Sequence, residues 1–179
     1  MIDRDGIHAI SVRKLAEASG CSLRSLYNKF ENIGGVYRKL IDIFTDDVAT
    51  FVVGRMDKPV ESDDELHAVH ESFVLYFLRH PNRFYFMYLF KHEGLGTEPS
   101  LFETPEFQEK IQQSFEYLSN DEGLEGHDVG RLRRDIMYGA FGLLVLYSTG
   151  NFGMSSDHVL AEFRRFFVAQ MSAFRCSKG

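Results

Sequence analysis

At 179 residues and 44% hydrophobic content, the chain is long enough to bury a sizeable core. Two cysteines, Cys21 and Cys176, stand far apart without paired spacing, which excludes a disulfide framework or a zinc knuckle and leaves Cys21 as a small core residue. The net charge of −6 argues mildly against nucleic acid, but residues 1–39 carry seven Lys/Arg against four acids, a net +3, while residues 40–179 carry 13 against 22, a net −9. A basic head on an acidic body can face DNA while the body is repelled from phosphates. No early apolar run resembles a secretion signal, and the longest apolar stretches are interrupted before they could cross a bilayer. A cytoplasmic location with no membrane partner is expected.

Taken from its start, the chain first shows two short helices joined by a tight turn, from Ser11 to Phe30. Ser11 and Ser22 each stand where a side-chain oxygen can accept from the free N–H groups of a helix start. Gly20 tolerates the left-handed backbone that lets the first helix stop and the chain reverse. Val12, Leu15, Ala16, Cys21, Leu26 and Phe30 fall where the two helices face each other. The other face carries Arg13, Lys14, Ser22, Arg24, Ser25, Tyr27, Asn28 and Lys29, a mixture of cations, hydroxyls and an amide suited to phosphates and base edges. Any small helical hairpin also has caps, a Gly turn and a solvated charged face. The register runs on from Tyr27 through Glu31-Asn32-Ile33-Gly34-Gly35-Val36-Tyr37-Arg38-Lys39-Leu40, and what sets a DNA reader above that plainer reading is the family resemblance that this whole stretch carries.

Residues 6 to 41 strongly resemble the tetracycline-repressor (TetR) family of bacterial transcription regulators. By that resemblance Ser11 to Ala18 matches the family's second helix, Ser22 to Phe30 its recognition helix, and Tyr27 and Lys29 stand at phosphate-contacting positions. Two departures are visible. Ile33, followed by Gly34-Gly35, stands where the family commonly has a phosphate-binding Lys, and only Met1 to Arg4 remain of the family's first helix. That helix would complete the cover over Leu15, Leu26 and Phe30, so a chain shortened at its start, or a start codon set too far downstream, is expected. The resemblance implies an all-α fold: a helix-turn-helix DNA-binding domain over residues 1–45, then an antiparallel helical effector-binding and dimerisation domain over residues 46–179.

Downstream the apolar periodicity is helical almost throughout. Tyr37, Leu40, Ile41, Phe44, Val48, Phe51 and Val52 mark one long helix leaving the head, ended by Lys58-Pro59. Ser62-Asp63-Asp64-Glu65 is a capping box opening a helix with the stripe Leu66, His70, Phe73 and Phe77. His80-Pro81 breaks it, and a short aromatic helix with Phe84, Phe86, Met87, Leu89 and Phe90 follows. Gly94 to Glu103 reads as a loop, Thr104-Pro105 as a helix start, Phe107, Ile111, Phe115 and Leu118 as a further helix, and Asn120 to Gly126 as a loop.

Two long segments close the chain, about Asp128 to Tyr147 and Ser156 to Phe174, each apolar on more than one face. A second copy would bury the surplus in a four-helix homodimer interface, as the resemblance also implies, with Gly139, Gly142, Leu143, Leu146, Phe163, Phe167 and Phe174 in the contact. The alternative is that these helices form the monomer core. The aromatic content of 14%, with 17 Phe and no Trp, suits a roomy apolar pocket. The resemblance implies an effector cavity, for which Phe51, His70, Phe73, Phe77, Phe86, Phe115 and Tyr138 are the candidate walls. His70 is a polar ring on an apolar stripe, able to orient a ligand or to rest as a satisfied core histidine.

His67 and His70 lie three residues apart on one helical face, a spacing that can ligate a metal, but no Cys or second His pair lies at a useful distance and no metal is expected. Gly94-Leu95-Gly96 has neither a preceding strand nor a following Lys-Ser/Thr, so it reads as a connection rather than a phosphate loop. No nucleophile elbow or kinase signature is present, so neither catalysis nor a cofactor is expected. The sequence thus points to a TetR-like, ligand-responsive regulator of double-stranded operator DNA, a repressor released by a small apolar or aromatic effector. The alternative is a helical small-molecule-binding dimer that does not bind DNA because helix 1 is missing.

Overall fold

The computed structural model describes residues 2–6, 11–56, 58–91, 109, 111–119 and 126–176, and every regular element among them is helical. The chain opens with a single turn, α1 (Ile2–Asp5). Two eight-residue helices follow, α2 (Val12–Ser19) and α3 (Leu23–Phe30). Ser11 Oγ accepts from the Lys14 N–H at 3.2 Å and Ser22 Oγ from the Ser25 N–H at 3.1 Å, so both caps form. Gly20 takes φ 65°, and the Cys21 N–H closes α2 on the Ala16 carbonyl at 3.1 Å. Cys21 corrects the sequence expectation of a core residue: it is exposed in the turn after Gly20, its Sγ 3.7 Å from the Ser19 carbonyl. Of the six expected facing residues only Ala16 is fully buried, while Val12, Leu15, Leu26 and Phe30 are half-buried.

Asn32 caps the long helix α4 (Ile33–Val53), its Oδ1 accepting from the Gly35 N–H at 3.1 Å. A Cβ on Gly35 would stand 2.2 Å from the Phe30 carbonyl oxygen, so the glycine lets α3 run directly into α4. The helix ends at Gly54, earlier than Lys58-Pro59 suggests. α5 (Asp63–Arg79) starts at Ser62, whose Oγ accepts from the Glu65 N–H at 3.3 Å. Glu65 reaches back to the Glu61 N–H at 2.8 Å rather than to Ser62, and pairs with Lys58, so the capping box is displaced by one residue.

His80 ends α5, and Pro81 occupies the first turn of α6 (Pro81–Phe84), where its missing N–H costs nothing. The aromatic run then widens into a π-helical turn, Tyr85–Leu89, in which the Phe90 N–H donates to the Tyr85 carbonyl at 2.8 Å. The expected loop at Gly94 to Glu103, the start at Thr104-Pro105 and Phe107 lie outside the described residues. Residues 111–113 are helical, a turn intervenes at 114–115, and α7 (Glu116–Ser119) follows. The chain finishes with α8 (Gly126–Ser148) and α9 (Ser156–Cys176). Gly126 opens α8 instead of ending the preceding loop.

The apolar side chains gather into two clusters, and α4 feeds both. Ile2, Phe44 and Phe86 form the smaller one, with Leu15, Ile33, Tyr37, Leu40 and Phe90 packed around them. Val48 and Val52, one and two turns beyond Phe44, enter the larger cluster with α5, α8 and α9. Phe77, Phe84 and Phe163 are wholly buried there, each contributing roughly 1.5–3 kcal/mol. Among the described residues no helix is long and apolar enough to cross a membrane.

Candidate functional site

Two regions combine exposure or cavity with polar chemistry. The first is the outer face of α2 and α3, where Arg13, Lys14, Ser22, Arg24, Ser25, Tyr27, Asn28 and Lys29 are all exposed. Arg24, Tyr27 and Asn28 follow helical spacing and lie on one strip. The Ser22 and Ser25 hydroxyls bond each other at 2.9 Å, Arg13 Nε reaches Glu17 at 3.3 Å, and the Lys29 ammonium lies 5.5 Å from the centre of the Phe30 ring. Arg13 therefore presents a partly compensated charge.

The second region is a cavity of about 560 Å³ between α5, α8 and the segment at Ile111. It places His70, Phe73 and Tyr138 on one wall system, together with Val69, Arg133, Arg134, Met137 and Phe141. The other four aromatic candidates lie elsewhere among the described residues. Phe51 packs under the Arg55 guanidinium at 4.3 Å and beside Tyr76, and Phe77 is enclosed by Phe73, Tyr76 and Phe84. Phe86 belongs to the smaller cluster, and Phe115 sits edge-on behind His70 at 5.2 Å. Apart from Tyr138 the sequence reading does not include the α8 wall, although its spacing is legible: Gly130, Arg133, Met137 and Phe141 recur at three and four residues.

His70 is the most constrained polar group of the cavity. Its Nδ1 lies 2.9 Å from the Leu66 carbonyl, one turn back, while Nε2 is buried without a hydrogen-bond partner among the described residues. Burial pushes its pKa down to about 4, against the opposing pull of the Leu66 bond, and the nearby Arg133 charge adds to the drop. The ring is therefore neutral at pH 7, with N–H on Nδ1 toward Leu66 and a bare acceptor at Nε2. His67 is also buried, its Nε2 3.9 Å from Glu71, too far for a hydrogen bond, and burial lowers its pKa. No group of three or more His, Cys, Asp or Glu among the described residues is placed to hold a metal ion.

The expected dimer contacts divide. Phe163 and Phe167 are buried within their own chain, 0% and 2% exposed, because both rings pack on His67 of α5. They are corrected from interface to monomer core. Gly139 is an intramolecular contact as well, since a Cβ there would lie 2.2 Å from the Phe166 ring. Leu143 and Phe174 are half-buried against the larger cluster, and Leu146 is half-buried. Gly142 is exposed with open space around it, and Tyr138 and Val168 are 70% and 52% exposed.

The π-helical turn lies between the two regions. Tyr88 packs on Phe141 of the cavity wall at 4.9 Å, while two residues earlier Phe86 packs edge-on against Tyr37 at 5.7 Å and Phe44 at 5.9 Å in α4. The one π-helical turn thus touches the cavity wall through Tyr88 and the helix that follows α3 through Phe86. Comparison with protein-family models and with curated proteins gives no match for this chain.

Proposed function

We propose that the chain is a TetR-like, ligand-responsive transcription regulator, acting in the cytoplasm as a homodimeric repressor. α2 and α3 form its helix-turn-helix, with α3 as the recognition helix entering the major groove. The observation that carries this reading is the capped pair itself, turning at Gly20 and presenting Arg24, Ser25, Tyr27, Asn28 and Lys29 outward from one short helix. Cations on that face contact phosphates, and Arg24 and Asn28 reach base edges. Residues 1–45 serve as the DNA-binding domain and the rest as the effector-binding and dimerisation domain.

An effector in the cavity between α5 and α8 favours a body conformation in which the paired heads are wrongly spaced for two successive major grooves. By linkage, bound DNA weakens the effector by the same factor. The π-helical turn that packs Tyr88 on Phe141 and Phe86 on Tyr37 and Phe44 supports this coupling. One observation favours the second reading, a helical binding protein that does not engage DNA: α3 has no fully buried residue, so its seat is thin. Duplex-DNA binding that weakens steeply with salt supports the first reading. Cavity binding without any DNA binding supports the second.

A further inference from the structure

We infer that Leu23 is a further specificity residue: it packs on the 5-methyl group of a thymine in the major groove, so that each half-site carries a thymine facing the first turn of α3. The inference rests on α3 as the recognition helix and names a base that this helix selects.

Leu23 opens α3, is 45% exposed, and belongs to neither apolar cluster among the described residues. Its side chain forgoes the burial that the fold gives Leu15 and Leu26, both half-buried in the same helix pair. A single exposed leucine is ordinary on a protein surface. Here the exposure is doubled: of the six large apolar or aromatic side chains that stand exposed among the described residues, Leu23 and Tyr27 lie one turn apart on this eight-residue helix.

The charges on this face decide what covers the pair. α3 carries Arg24 and Lys29 and no acid, and Arg13 and Lys14 are exposed on the same outer face. The centre of a protein–protein contact is depleted of charge, whereas a DNA groove sets its apolar methyl groups between two walls of phosphate. The thymine methyl is the apolar group that standard base pairs present in the major groove, and the first residues of a recognition helix are those that meet base edges. Asn28, on the same face, suits adenine, whose paired base carries that methyl.

The test starts from the duplex that the full chain enriches from a random-sequence pool. Each thymine in turn, in both half-sites together, is replaced by deoxyuridine, which removes only the methyl group, and affinity is read by fluorescence anisotropy. One position should lose about fourfold per half-site. Leu23→Ala and Leu23→Gln should each bind the thymine and deoxyuridine duplexes equally at that position, and the second variant decides should the first fail to fold. An enriched site at which no deoxyuridine lowers affinity, or a methyl effect that persists in the variants, would overturn the role of Leu23 while leaving α3 as a DNA reader. A pool without any enriched sequence would overturn this assignment and the DNA-reading proposal together, and would leave the exposed pair to a protein partner.

Discussion

Arg83 holds Asp3 through a two-pronged contact, Nε at 2.9 and 3.0 Å from the carboxylate oxygens and Nη2 at 2.7 Å, and so fastens the first turn of the chain to the segment after Pro81. The same guanidinium reaches Asp47 of α4 and the Tyr76 hydroxyl of α5, both at 2.7 Å. Burial raises the Asp3 carboxyl's pKa, but the hydrogen bonds and charge of Arg83 outweigh it and leave the carboxyl below its usual value. Asp3 bonds from the Arg83 side raise the guanidinium's pKa. One side chain therefore joins α1, α4, α5 and α6.

Arg83→Ala should cost about 2 kcal/mol in urea unfolding, because it strands the Tyr76 hydroxyl and separates two carboxylates from their shared cation. Arg83→Lys should recover less than half of that, since an ammonium cannot reproduce the planar fork. Full recovery by Lys would reduce the contact to simple charge.

The two glycines of α8 should respond oppositely to Ala. Gly142→Ala meets open space and should stabilise by roughly 0.5–1 kcal/mol through helix propensity. Gly139→Ala must displace the Phe166 ring and should destabilise despite the same gain. Thermal melts of the two variants provide the comparison, and stabilisation by both would contradict the close α8–α9 contact.

This contrast also shows what could and could not be read from the residues. The caps at Ser11 and Ser22, the turn at Gly20 and the break at His80-Pro81 depend on neighbours a few positions away, so they are legible. Gly139 and Gly142 lie on the same apolar helix and differ only in whether Phe166 stands across from them. Phe163 and Phe167 read as surplus apolar surface because nothing local reveals that His67 packs on them. In the cavity, Phe73 and Phe77 are one turn apart on α5, yet only Phe73 lines the space, since Phe84 and Tyr88 cover Phe77. The π-helical turn left no signal beyond its aromatics.

Stability should fall on acidification before the carboxylates titrate. His70 is neutral in the fold down to about pH 4, whereas the unfolded chain protonates it near 6.5. Between those values the unfolded state binds more protons, so stability drops as pH falls through the window and levels off below it. The slope contributed by this residue is at most about 1.4 kcal/mol per pH unit. His67, lowered in the same direction, adds to it. In urea unfolding across the window, His70→Leu should show a shallower slope than wild type, and an unchanged slope would remove His70 as its source.

Phe167→Glu should unfold the chain, because it buries a charge within the core of a single protomer at a cost of several kcal/mol. Val168→Glu, on the exposed side of α9, should leave helicity intact and dissociate the proposed homodimer. Circular dichroism with sedimentation separates these outcomes. A helical, folded Phe167→Glu would contradict the core assignment, and a dimeric Val168→Glu would remove that face from the interface.

Whether α3 reads DNA is decided by selection from a random-sequence duplex pool with the full chain. The expected result is an enriched two-fold symmetric site with half-sites about one helical turn apart. Arg24→Ala and Asn28→Ala should change the enriched bases, each good contact being worth about 1–3 kcal/mol of discrimination. Lys29→Ala should instead weaken binding to every duplex and flatten the salt dependence by about one unit. A pool that emerges without any enriched sequence, or equal losses for the three variants on all duplexes, would contradict DNA reading by α3.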